Sequence, residues 1–86
     1  MLFEQIEVAD ENGTRPLMFA CRGGHSKVVG TLLDAGSDPL AATSKGSTPL
    51  HFAASAGSLS TMKRLLALGA ELGAETTDGD TALSLA

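Results

Sequence analysis

The chain has 86 residues, enough for a single small domain. Six Lys and Arg stand against ten Asp and Glu, giving a formal net charge of −4 and a pI near 4.9. Because nucleic-acid affinity rests on phosphates neutralised by clustered Lys and Arg, this scattered and outnumbered set excludes a phosphate-binding surface. No apolar run approaches the roughly 18 residues needed to span a bilayer, and the acidic start Met1-Leu2-Phe3-Glu4-Gln5-Ile6-Glu7 lacks a signal peptide's basic and apolar regions.

Taken in order, the chain repeats itself. Gly13-Thr14-Arg15-Pro16-Leu17 returns thirty-three residues later as Gly46-Ser47-Thr48-Pro49-Leu50, and at the same interval as Gly79-Asp80-Thr81-Ala82-Leu83. Further identities at this spacing include Phe19/Phe52, Ala20/Ala53, Gly24/Gly57, Leu32/Leu65, Leu33/Leu66 and Gly36/Gly69, without a gap. A fixed period of this length signals stacked structural units, each burying its apolar face only against its neighbours. The expected organisation is a single domain over 1–86, with a leading hairpin or turn over 1–12, repeats over 13–45 and 46–78, and a partial repeat over 79–86.

Within one repeat, Thr48 followed by Pro49 marks a helix start. A hydroxyl can accept an orphan backbone N–H, and proline suits the first helical position. Leu50, Ala53 and Ala54 follow at helical spacing, and Gly57 stops this short inner helix. The stretch Leu59 to Leu68 sets Leu59, Met62, Leu65 and Leu66 on one face and Lys63 and Arg64 on another, an amphipathic outer helix ended by Gly69. Residues 70–78 lack a helical period and read as a loop or β-hairpin returning to the next unit. The same reading puts outer helices at about 26–35 and 59–68, a third inner helix starting within 80–86, and no extended sheet. Leu17, Leu32, Leu33, Leu50, Leu65, Leu66 and Leu83 form the expected inter-repeat core, with Leu83 and Leu85 partly exposed.

Gly46-Ser47-Thr48-Pro49-Leu50-His51-Phe52-Ala53-Ala54, then Gly57, then Leu65-Leu66-Ala67-Leu68-Gly69-Ala70, resembles an ankyrin repeat. Gly13, Pro16-Leu17, Ala20, Gly24-His25, Val28-Val29, Leu32-Leu33 and Gly36 carry the resemblance in the first unit, and Ile6 to Asn12 is similar to the hairpin preceding a unit. The resemblance implies an all-α ankyrin-repeat solenoid of helix-turn-helix units joined by β-hairpin-like loops. There are departures. Arg15 and Met18 replace the threonine and histidine of the first unit, and Ala82 and Ser84 replace the proline and histidine of the third, so those units are expected to lose local caps. Leu2-Phe3 stands where a helix-ending glycine would fall, and Leu40 and Gly73 occupy a hairpin position where asparagine is frequent.

No catalytic, metal or cofactor constellation is read from the sequence. Cys21 and His25 are four apart, but Gly23-Gly24 interrupts the helix that would align them, and no further ligand or orienting acid stands nearby. Cys21 instead matches the small-residue slot of Ala54. As a lone cysteine it gives no support for an oxidising compartment, so a cytoplasmic or nuclear setting is expected. His51 as a general base is weaker than its local role in the resembled family, where it follows the Thr-Pro-Leu turn and ties that turn to its surroundings.

What remains is surface. In the resembled family partners bind on the concave face, built from turn tips and the exposed side of the inner helices. Carried over by position, this face comprises Glu11, Asn12, Thr14, Arg22 and Gly23, then Ser44, Lys45, Ser47, Ser55 and Ala56, then Thr77, Asp78 and Asp80. Arg22 is the leading anchor of the set, since Arg is enriched at binding hot spots. The resemblance therefore implies a non-enzymatic protein–protein interaction module or scaffold that binds another protein, while charge and hydropathy argue against nucleic acid or membrane as partner. Two alternatives stand beside it: an ankyrin segment of a larger enzyme that positions its substrate, and a structural spacer. Self-association through the ends of the stack is a further expectation.

Overall fold

A computed structural model describes residues 7–85. Residues 1–6 of the expected leading hairpin, with Leu2-Phe3, and Ala86 of the third inner helix lie outside the described residues. The described chain is helical, with no strand among its residues: α1 is Pro16–Arg22, α2 Ser26–Asp34, α3 Pro49–Ala56, α4 Leu59–Ala67 and α5 Ala82–Leu85. Both outer helices end one residue before the expected limit, where Ala35 and Leu68 cap them. Side by side, α1, α3 and α5 form an inner layer, while α2 and α4 pack behind α1 and α3 and touch each other more sparsely.

Local chemistry accounts for the elements. Pro49 begins α3 behind Thr48, and Gly57 ends it with φ of 70°, a left-handed conformation that costs an L-residue side chain strain. The Thr48 N–H donates to His51 Nδ1 at 3.1 Å, and the Thr48 hydroxyl meets the same nitrogen at 2.8 Å. The Thr48 hydroxyl accepts from the His51 N–H in return, at 3.5 Å. This reciprocal cap was expected to be lost from the other inner helices; it is lost in part from α1, where the Arg15 side chain accepts no hydrogen bond, and is kept at α5. At α5 the Thr81 N–H donates to Ser84 Oγ at 2.9 Å while the Ser84 N–H donates back to Thr81 Oγ1 at 3.2 Å. At α1 the Arg15 N–H reaches Met18 Sδ at 3.4 Å, a softer acceptor in the position that His51 fills in α3. Relieved of capping, the Arg15 side chain pairs with Glu7 at 2.6 Å and fastens the leading segment to the start of α1.

The core is continuous through the inner layer. Leu17, Cys21, Val29, Leu32, Leu50, Ala53, Ala54, Leu65 and Ala82 are buried together, with Leu33, Phe52, Met62, Leu66 and Leu85 packed at its margin. Three expectations need correction. Leu33 and Leu66 border the core, since the face of each outer helix turns Leu32 and Leu65 inward. Leu83 leaves the expected core but meets the expectation of exposure: it is 77% exposed, with Leu85 half-buried beside it, because no helix among the described residues lies on the far side of α5. Leu59 is 63% exposed at the first turn of α4, and Thr61 is buried in its stead, its hydroxyl satisfied by Ser58 Oγ at 3.0 Å.

Burial also leaves one cost. Ser37 is 4% exposed, and its hydroxyl has no hydrogen-bond partner among the described residues. Thirty-three residues on, the corresponding residue is Ala70. A buried hydroxyl without a partner forfeits its hydration, at about 1–3 kcal/mol. Ser37→Ala is therefore expected to raise stability by about 1 kcal/mol, read as a higher urea midpoint at unchanged slope. A lower midpoint would show that the hydroxyl holds a water or partner of value.

Candidate functional site: the turn tips and the inner-helix face

Three turns precede the inner helices, and each is built the same way. In the second, Gly46 N–H donates to Thr43 O and Thr43 N–H to Ser47 O, while the Thr43 hydroxyl accepts from Lys45 N at 3.3 Å and Ser47 N at 3.1 Å. Asp10 Oδ1 does the same for the N–H groups of Asn12 and Thr14, and Thr76 Oγ1 accepts from Asp80 N. The closing glycines Gly13, Gly46 and Gly79 have φ of 80°, 79° and 82°, which is why this position repeats as glycine.

Consecutive tips are then joined. Ser44 N–H donates to Asn12 O at 2.9 Å, and Thr77 N–H donates to Lys45 O at 2.8 Å. A second tie runs deeper: His51 Nε2 contacts the Ala74 carbonyl at 2.9 Å. A carbonyl only accepts, so Nε2 carries the proton and Nδ1 is the acceptor for Thr48. His51 is 2% exposed, so its ring is a strut between α3 and the following loop, not a base facing solvent.

These ties hold the tip side chains in one row. Glu11, Asn12, Ser44, Lys45, Thr77 and Asp78 are exposed, and Ser47 and Asp80 are half-buried at the turn exits. Thr14 is 9% exposed and offers little side-chain surface. Arg22, Gly23, Ser55 and Ala56 are exposed at the far ends of α1 and α3. Between tip and far end, the structure adds two residues that were not in the sequence-derived set. Phe19 is 42% exposed, and Phe52 is half-buried, each three residues before Arg22 or Ser55 and so on the same helix face. Their identity at the repeat spacing and their place one turn before the predicted surface residues were the signal available.

The Arg22 guanidinium lies over the Phe19 ring, 4.9 Å from its centroid. Phe52 helps to line a depression of about 190 Å³ with Asn12, Ser44, Lys45 and Ser47. Among the described residues the ion pairs are Arg15 with Glu7 and Arg64 with Asp34, so Arg22 and Lys45 are engaged with no carboxylate there. A larger depression, about 230 Å³, lies between the loops that follow α2 and α4, against Pro39, Leu40, Ala70 and Glu71, and contains none of the predicted residues.

Cys21 and His25 do not meet as a pair. The thiol is fully buried, and burial pushes its pKa up to about 11, so it stays protonated at neutral pH. His25 is exposed, its ring set so close to Gly23 that a Cβ there would fall 2.6 Å from it. Among the described residues no three His, Cys, Asp or Glu side chains cluster as metal ligands, and no helix is long and apolar enough to cross a membrane.

Helix pairs at a thirty-three-residue period, glycine-closed tips and a Thr-Pro helix start define the ankyrin class of repeat protein. The chain belongs to the ankyrin repeat family: a family model described as "Ankyrin repeats (many copies)" matches residues 32–86, and one described as "Ankyrin repeat" matches residues 12–44. Comparison with curated proteins gives no match. Ankyrin repeats in general are protein–protein interaction modules and are typically not enzymes.

Proposed function

We propose that this chain is a non-enzymatic docking module, a scaffold unit that holds another protein along its concave surface of turn tips and inner-helix side chains. The observation that supports this most is the tip-to-tip hydrogen bonding. Ser44 to Asn12 and Thr77 to Lys45 fix the tip backbone from which the exposed polar side chains project in a row before any partner arrives, which lowers the backbone ordering cost of binding. The leading segment contributes the first tip at Glu11-Asn12, the repeat at 13–45 the second at Ser44-Lys45, and the repeat at 46–78 the third at Thr77-Asp78, before the partial repeat at 79–86. The buried, unpaired Cys21 suits the reducing conditions of the cytoplasm or nucleus. Self-association is the competing use of the same chain, through Leu83 and the open side of α5.

The test is a triple substitution, Arg22→Ala with Lys45→Ala and Asp78→Ala. Partner retention in a crosslinked pull-down should fall at least about tenfold, while the unfolding free energy shifts by no more than roughly 0.5 kcal/mol per site. The control is Lys63→Ala on the exposed face of α4. Arg64 is unsuited to that role, because its guanidinium passes over buried Gly30 to reach Asp34 at 3.0 Å and so links α4 to α2. Retention lost in the Lys63 variant and kept in the triple variant would move the working surface to the outer helices.

A further inference from the structure

Phe19, Arg22, Lys45 and Phe52 impose a more specific chemistry on that surface than the tips alone do. From tip to far end, the exposed side of α1 and α3 runs from a cation, Lys45, across an apolar band, Phe52 and Phe19, to a second cation, Arg22. Resting on the docking reading above, we propose that this strip takes an extended segment of a partner protein with the pattern acidic, any, apolar, any, acidic.

The pattern follows from distances and charge. At about 1.5 Å per helical residue, the six steps from Pro16 to Arg22 cover about 9 Å, and the tip turn adds roughly 4–5 Å. With a sideways offset of one helix spacing, about 8–10 Å, because Lys45 stands before α3 and Arg22 ends α1, the two lie roughly 16 Å apart. Carboxylates about 13 Å apart at i and i+4 of an extended chain can meet that span through the length of the Lys and Arg side chains. In an extended segment, side chains i, i+2 and i+4 share one face. Carboxylates at i and i+4 then meet Lys45 and Arg22 while the i+2 side chain lies on the phenylalanines. The guanidinium over the Phe19 ring keeps its N–H donors available for a carboxylate, since the ring takes none of them as a hydrogen-bond acceptor. Glu11 and Asp78 flank Lys45 on the neighbouring tips and repel an acidic segment laid across the tip row. The favourable path therefore runs along the helices.

The experiment is fluorescence anisotropy with the full chain and labelled peptides containing Asp-Ser-Leu-Ser-Asp, the same sequence with Lys for Asp, and a version with the two acids three residues apart. The acidic peptide should bind at least about fivefold tighter than either of the others, and weaken as salt rises. Arg22→Ala and Lys45→Ala should each weaken it about two- to fivefold, the range of exposed ion pairs, and Phe19→Ser should weaken it without altering the salt dependence. Equal or tighter binding of the lysine peptide overturns the acidic pattern. Binding of neither peptide overturns it as well. If lysine-peptide binding is lost on Asp78→Ala, the docking surface stands and only its partner chemistry is wrong; if acidic-peptide binding ignores Arg22, Lys45 and Phe19, the surface assignment itself fails.

Discussion

Alanine in place of Leu50 is expected to lower the free energy of unfolding by about 2–5 kcal/mol, the range for deleting a buried leucine side chain with partial collapse of its cavity. Leu50 has no exposed surface and sits on α3, the helix in contact with α1, α4 and α5. Its loss therefore opens a cavity in the core cluster shared by the inner layer and the outer helices. A domain of this size commonly holds roughly 4–13 kcal/mol in total, so the variant should be largely unfolded well below the wild-type midpoint. Leu66→Ala provides the comparison: Leu66 is only half-buried at the margin of the core, and its truncation should cost about 1–2 kcal/mol. Urea titration followed by far-UV circular dichroism measures both. Equal losses at the two positions would mean that the outer helix contributes as much to stacking as the inner one, contrary to the burial pattern.

The same contrast explains what could be read from the sequence. Helix starts and stops were legible because they are local: Thr48-Pro49, Gly57 and the tip glycines each fix a conformation within a few residues. Periodicity alone was less decisive on the outer helix. Leu59 and Thr61 both lie at the start of α4, and only the position of α2 decides that the threonine is the one covered. Caps were misjudged for a different reason. Replacing the third unit's histidine by Ser84 was expected to remove a cap, whereas a serine oxygen three residues after Thr81 keeps it. In the first unit the Met18 sulfur accepts from the Arg15 N–H, but Arg15 returns no bond, so that cap is half lost. Long-range partners were out of reach. Nothing near Arg64 in sequence announces Asp34, thirty residues away, and nothing near His51 announces the carbonyl of Ala74.

For the surface, the limit lay in treating core and binding face as separate lists. Phe19 and Phe52 recur at the repeat spacing and so resemble core positions, yet Phe19 is among the exposed large apolar residues and carries the Arg22 guanidinium on its ring. An inner helix of seven or eight residues has too little circumference to hide every apolar side chain between its neighbours. The residues left over are apolar surface at the place where charged tips are already aligned, and such surface is what gives a small polar patch its affinity.

His51→Ala is expected to cost about 2–4 kcal/mol, from lost hydrogen bonds together with the cavity left by a ring that is 2% exposed. The ring is buried and fills three roles: it accepts from the Thr48 N–H, meets the Thr48 hydroxyl and donates to the Ala74 carbonyl. Alanine leaves a part-buried donor, the Thr48 N–H, and a part-buried acceptor, the Ala74 carbonyl, without partners, at up to about 1–3 kcal/mol each before any water enters the gap. His51→Ser separates the roles. Ser84 shows that serine at this position can accept from the cap residue's N–H, so the serine variant should recover about 1 kcal/mol of the loss while leaving the Ala74 carbonyl unpaired. Its remaining deficit should appear in the loop that α3 no longer holds. Hydrogen exchange at the Thr77 amide, whose bond to the Lys45 carbonyl continues the tip row, should quicken in both variants. If exchange at Thr77 is unchanged while stability falls, His51 is only a helix cap, and the tips are kept in register by their own backbone bonds.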